Sequence, residues 1–270
     1  AQGYSDSQGI RSARTAVVQH YQTLGIDITD PDDIWLGNGV SELIQLSLNA
    51  LLNEGDEVLI PAPDYPLWTA SVSLAGGTPV HYLTDESQGW APDFDDLEAR
   101  ITPRTRGIVV INPNNPTGAV YSTEVLQRFV DLARKHDLML FADEIYEKIV
   151  YDGRSMTNLA TMTGRDVLCL TYSGLSKAYR VCGFRAGWLA ITGPLERASS
   201  FIEGIKLLAN MRMCANVPAQ HAIQTALGGR QSIEDLLLPQ GRLTAQRDLA
   251  HTTLNSIDGI SCQQADGALY

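Results

Sequence analysis

Gly107-Ile108-Val109-Val110-Ile111 is a continuous apolar run, and Asn112-Pro113-Asn114-Asn115-Pro116-Thr117-Gly118 follows it without a break. A run with no polar alternation predicts a strand covered on both faces, and the Asn/Pro/Gly cluster predicts a loop after it. The succession occurs twice more. Leu138–Ala142 runs into Asp143-Glu144-Ile145-Tyr146, and Val167–Thr171 runs into Tyr172-Ser173-Gly174-Leu175-Ser176-Lys177. Thr123–His136 has helical spacing, with Ser122 as its N-cap. Buried strands joined by helices predict an α/β fold with a largely parallel sheet and right-handed crossovers.

Working outward, Ile10–Leu24 is spaced as a helix and Ile34–Leu36 as a short strand. Ser41–Leu52 is a predicted helix, with Ser41 as N-cap and Glu42 adding negative charge to its first turn. Glu57–Ile60 and Pro79–Leu83 are predicted strands flanking a helix over Trp68–Leu74, which Gly76-Gly77 stops. Gly187–Ile191 is another strand. From Pro194 the chain is mostly helical, and an amphipathic stretch over Arg242–Ile257 leads to a last strand at Ile260–Gln264. A domain change is expected near Gln231–Pro239, dividing the chain into residues 1–230 and 231–270. Ala1 stands where a methionine would, and Ala268–Tyr270 reads as the start of a β-segment, so the expectation is a fragment cut at both ends.

The composition is that of an ordinary globular protein, 270 residues with 44% hydrophobic and 19% charged. A net charge of −11 opposes a phosphate backbone, so general nucleic-acid binding is not expected. Cys169, Cys182, Cys214 and Cys262 form no CxxC pair, and His20, His81, His136, His221 and His251 lack metal spacing. No metal and no disulfide framework is expected, and free thiols fit a cytoplasmic protein. No apolar run approaches the roughly 20 residues of a membrane span. Met211 and Met213, with Leu207 and Leu208, read as core or dimer packing, and the tryptophans as packing groups.

In open α/β sheets, ligands bind beyond the carboxyl ends of the strands. Each polar group found there has a bland reading alone: a turn, a helix cap, a solvated lysine. Three in chain order, at the same end of three buried strands, favour a site. Gly37-Asn38-Gly39 suggests a dinucleotide fingerprint, but Glu42 stands where its third glycine belongs and no acidic ribose partner follows.

The residues Asn112–Gly118 (NPNNPTG), Ala142–Tyr146 (ADEIY) and Ser173–Trp188 (SGLSKAYRVCGFRAGW) resemble those of the fold-type I, class I/II aminotransferases. GYSDSQGIRSAR near the start, GNGVSELI at Gly37–Ile44 and PAPDYPLW at Pro61–Trp68 match as well, so the likeness spans the chain. It looks closest to the bacterial alanine (glutamate–pyruvate) branch.

The resemblance implies a three-layer αβα large domain over residues 1–230, the beginning of a smaller α+β domain over residues 231–270, and pyridoxal 5'-phosphate (PLP) as cofactor. It implies that Lys177 bonds the cofactor and then moves the substrate proton, a dual task that suits a lysine whose pKa can be lowered. Asp143 would face the pyridine nitrogen. Asn115 and Tyr146 would hydrogen-bond the ring's phenolic oxygen, Asn115 also meeting substrate, and Tyr65 would lie over the ring. Arg185, with Gly39, Val40 and Ser41 at a helix start, would hold the phosphate, and Tyr4 would reach the phosphate of a second subunit in a homodimer. Many relatives carry a serine where this chain has Gly174, so either Ser173 or Ser176 would supply the phosphate hydroxyl. Arg180, where a small residue is more usual, would be a surface contact or a second charge near the phosphate.

The reaction implied is amino transfer between L-alanine and 2-oxoglutarate. An aspartate-preferring enzyme and a carbon–sulfur lyase on the same fold are the alternatives. A non-catalytic regulatory domain is a third reading, without a basic helix-turn-helix to support it. The family's carboxylate-binding arginine would lie beyond Tyr270.

Overall fold

A computed structural model describes residues 3–270, with Ala1 and Gln2 outside the described residues. The strands are β1 (Ile34–Gly37), β2 (Glu57–Ala62), β3 (Thr78–Asp85), β4 (Ala91–Pro92), β5 (Thr105–Ile111), β6 (Met139–Asp143), β7 (Cys169–Gly174) and β8 (Gly187–Thr192). Among the described residues they form one eight-stranded sheet in the order β1-β8-β7-β6-β5-β2-β3-β4. Pairing is parallel from β3 through β2, β5 and β6 to β7, and antiparallel for β8 with β7, β1 with β8, and β4 with β3. The helices are α1 (Arg11–Thr23), α2 (Val40–Leu51), α3 (Leu67–Leu74), α4 (Phe94–Ala99), α5 (Thr123–His136), α6 (Ser199–Arg212), α7 (Val217–Gly228), α8 (Ile233–Leu237) and α9 (Arg242–Asn255).

Alternation along the central strands sorts the core onto two faces. Ile108, Val110 and Leu140 pack with Val17 and Tyr21 of α1 and Phe129 of α5. Val109, Ile111, Phe141 and Leu170 pack with Ile44 and Leu48 of α2, Trp68 of α3 and Ile205 of α6. This is the three-layer α/β arrangement. Helix α5 shows how the sequence builds a layer. Leu126, Phe129, Val130 and Ala133 make one buried stripe, and each large side chain in it contributes about 1.5–3 kcal/mol of burial. Ser122 caps its start by accepting from the Val125 N–H, and Arg134, Lys135 and His136 stand in its last turn, against the negative end of the dipole.

Several expectations change. The N-cap of α2 is Gly39 rather than Ser41, which lies inside the first turn. Ile260–Gln264 is not a strand, because no neighbour pairs with it, and Ala268–Tyr270 begins no strand either: Val150 and Gly267 form an isolated bridge, and Ala268 turns to a φ of 59°. Arg242–Asn255 is helical; it buries Thr244 and packs Leu243 against the cluster around Tyr146 and Ile233, while Leu249 and Leu254 stay exposed. Leu207, Met211 and Met213 are exposed, which removes them from the core. No helix among the described residues is long and apolar enough to cross a membrane.

Candidate functional site

The carboxyl ends of β5, β6 and β7 lie side by side, with Ile111 opposite Asp143 and Asp143 opposite Tyr172. Asp143, the last residue of β6, is 4% exposed. The Trp68 indole Nε1 donates to Asp143 Oδ2 at 3.0 Å, and its ring packs edge-on against Phe141 and Tyr172. Burial pushes the Asp143 pKa up, because desolvation penalises the charged form. The Trp68 N–H, the Ile145 backbone N–H and the charge of Lys177 oppose that rise.

Lys177 follows β7 by a short loop, and its Nζ stands 5.3 Å from the centroid of the Tyr146 ring. The Tyr146 hydroxyl meets that of Tyr270 at 2.9 Å. Burial, then the facing Tyr270 hydroxyl, raise the Tyr146 phenol above its ordinary range.

Arg185 stands just before the start of β8. Its Nη2 donates to the Asn38 carbonyl at 3.2 Å and its Nη1 to the Cys182 carbonyl at 2.9 Å. Gly39 beneath it has a φ of 85°, and a Cβ there would sit 2.2 Å from Arg185 Nη2, so only glycine fits. No side chain caps the start of α2, and an uncapped helix start next to a guanidinium favours an anion.

These groups share one cavity of about 180 Å³. Asp143, Tyr146, Lys177 and Asn115 line it together with Tyr65, and so do Val40, Ser41, Ser176 and Arg185. Asn112 and Asn114 are used within their own loop. Asn112 Oδ1 accepts from the Tyr121 N–H, and Asn114 Oδ1 accepts from the Thr117 hydroxyl and N–H. Asn115 alone of the three lines the cavity. Wider grooves of about 730 and 510 Å³ lie against α8 and α9, and neither contains Lys177, Asp143 or Arg185. Chemistry, not size, selects the smaller one.

Three expected residues do not line the cavity, the first being Gly39, which lies beneath Arg185 instead. Ser173 is buried within β7 opposite Trp188 and does not line the cavity, whereas Ser176 does. The reason is the strand's alternation: Tyr172 packs against the α2–α3 layer, so Ser173 turns to the other face. Tyr4 is 80% exposed and contributes nothing to the cavity wall. Gly174 stands where it does for steric reasons, since a Cβ would meet the Ala186 carbonyl oxygen at 2.7 Å and Gly187 Cα at 2.9 Å. Arg180 is a surface contact, its Nη2 donating to the Ser232 hydroxyl at 2.8 Å.

Sequence reasoning missed Trp68 as a donor, Tyr270 as a partner of Tyr146, and Glu144. Glu144 is fully buried and accepts from Asn158 Nδ2 at 2.7 Å and the Leu159 N–H at 2.8 Å. Burial pushes its pKa up to about 8. Its place beside Asp143 in a strand-end pair was the available signal; nothing local distinguishes Trp68 or Tyr270 from packing residues.

Fold and site together define an α/β protein with an amine, a buried carboxylate and an anion-receptive helix start at its strand ends. The chain belongs to the aminotransferase class I and II family, whose model matches residues 1–270. It is 70% identical to an alanine aminotransferase of Mycobacterium tuberculosis (strain H37Rv), covering 100% of this chain and 63% of that protein. It is 59% identical to the glutamate-pyruvate aminotransferase AlaA of Escherichia coli (strain K12), covering 100% of this chain and 66% of that one. A crystal structure of an aminotransferase from Escherichia coli superposes with a TM-score of 0.98 at 59% identity, over 99% of this chain and 66% of the other. The chain thus spans about two thirds of the length of these relatives.

Proposed function

We propose that this chain is the cofactor-bearing part of a PLP-dependent aminotransferase that exchanges the amino group between L-alanine and 2-oxoglutarate, giving pyruvate and L-glutamate. The observation that carries the reading is that Lys177, Asp143 and Arg185 line one cavity beyond the parallel strand ends. The alanine assignment is supported by the names of the relatives at 59–70% identity.

The residues fit the cofactor. Arg185, Ser176 and the uncapped start of α2 form a donor set for a phosphate. The Gly39 cradle, which a Cβ would fill, leaves Arg185 its place. Asp143, buried and raised in pKa, is suited to a protonated ring nitrogen, whose positive charge would offset its desolvation. When bound, PLP supplies an aldehyde that condenses with amines and a ring that withdraws electrons from the substrate carbon.

Lys177 binds the cofactor through Nζ and takes and returns a proton at that nitrogen. Trp68 holds Asp143 Oδ2 in place. Tyr146 and Asn115 offer polar groups to the ring oxygen, Asn115 also contacts substrate, and Tyr65 covers the ring. Residues 1–230 form the large domain, and residues 231–270, whose α8 and α9 lie outside the sheet, begin the small one. We assign a cytoplasmic homodimer in which Tyr4, exposed here, reaches the partner's phosphate, with amino and 2-oxo acids as the small-molecule partners.

The test is Lys177→Ala in the full-length protein, where both the visible absorbance of bound cofactor and transamination should vanish with the fold intact. Unchanged turnover would refute the site. A steady-state panel of amino donors with 2-oxoglutarate tests the substrate, and a higher kcat/KM for aspartate than for alanine would overturn the alanine reading.

A further inference from the structure

Arg185 does not hold itself in place. Its Nη1 rests on the Cys182 carbonyl and its Nη2 on the Asn38 carbonyl, so Asn38 fixes one of the guanidinium's two anchors. Asn38 is in turn gripped by Glu42, in the first turn of α2. Glu42 Oε2 accepts from the Asn38 N–H at 2.8 Å and Oε1 from Asn38 Nδ2 at 3.0 Å. The remaining Asn38 oxygen, Oδ1, accepts from the Asn216 N–H at 2.9 Å. This grip has an electrostatic drawback: it puts a carboxylate in the first turn of the helix whose start lines the anion cavity.

Arg212, the last residue of α6, answers that drawback. Its Nη1 donates to Glu42 Oε2, and its Nη2 donates to the Ser7 carbonyl at 2.7 Å and the Leu36 carbonyl at 3.3 Å. Both side chains are mostly shielded, 14% exposed for Arg212 and 22% for Glu42, so solvent screens the pair less than a surface one. The carbonyl contacts fix the guanidinium on β1 and on the segment before α1. A neutral side chain at 212 would leave the Glu42 charge uncompensated.

We propose that Arg212 is a positioning residue for the phosphate cradle, acting through Glu42 and Asn38 on Arg185 and cancelling a carboxylate that would otherwise repel the anion. The inference rests on the PLP reading above and concerns the phosphate half of the ligand alone.

PLP and pyridoxal, which lacks the phosphate, separate this role from general stability. Dissociation constants for both are measured by absorbance on the full-length protein and on its R212M, R212K and E42Q/R212M variants, alongside thermal melts. R212M should weaken PLP by about tenfold, the effect of about 1.4 kcal/mol, while pyridoxal changes less than about twofold. E42Q/R212M should recover most of the PLP loss, because the repelling charge is gone. R212K, which keeps the charge but not the fork that spans the carbonyls, should fall between wild type and R212M; if R212M fails to fold, R212K and the double variant carry the same comparison. Equal losses for PLP and pyridoxal, or a double variant no better than its Arg212 single variant, would overturn the proposal. Failure of the wild-type protein to bind PLP would instead overturn the cofactor reading itself.

Discussion

Trp68→Phe isolates the hydrogen bond that reaches the buried carboxylate. Phenylalanine keeps an aromatic ring near Phe141 and Tyr172 but removes the N–H that lies 3.0 Å from Asp143 Oδ2. Loss of a bond to a buried charged acceptor costs about 1.5–3 kcal/mol, and because that bond favours the charged form, its removal pushes the Asp143 pKa further up. The smaller ring adds a packing loss of roughly 1 kcal/mol, which does not depend on pH. The pH dependence separates the two. Asp143 is already raised by burial, so the stability it contributes in its protonated form declines as pH rises from the unfolded value through the folded one. In Trp68→Phe that decline continues to higher pH. The deficit against wild type should therefore be near 1 kcal/mol in acid and grow to about 2.5–4 kcal/mol above the shifted pKa. Urea unfolding of the cofactor-free protein at several pH values from about 5 to 8 measures it. A deficit equal at every pH would show that Trp68 only packs, and the reasoning would fail.

Three other outcomes are expected. Glu144, raised to about 8 by burial, should make stability fall as pH climbs from the ordinary carboxylate range toward 8, since the folded state holds a proton that the unfolded chain releases. Glu144→Gln should flatten that part of a Tm-against-pH curve, and a curve of unchanged slope would count against it. Gly174→Ser places a Cβ 2.7 Å from the Ala186 carbonyl oxygen and should lower stability by about 2 kcal/mol or more in urea unfolding; a variant as stable as wild type would mean that β7 and β8 can part without penalty. Gly39→Ala combines a φ of 85° with a clash against Arg185, so PLP affinity should drop by at least about tenfold, and retained affinity would place the phosphate elsewhere.

The sequence alone determined that this is an α/β chain and where its central strands lie, because a strand covered on both faces must be apolar at every position, as at Ile108–Ile111. Lys177, Asp143, Asn115, Tyr146 and Arg185 were expected together because their motifs resemble those of the aminotransferase family, and the first four also stand at or after the carboxyl ends of those strands. Tertiary structure decided what depends on distant partners. Ser176 rather than Ser173 lines the cavity because the phase of β7 is set by its packing against the α2–α3 layer. Ile260–Gln264 stays unpaired although its pattern suits a strand, since a strand exists only where a neighbour offers hydrogen bonds. Trp68 lies 75 residues from Asp143, and Arg212 lies 170 from Glu42. Local spacing carries no trace of contacts closed over such lengths; only the folded sheet brings them within reach.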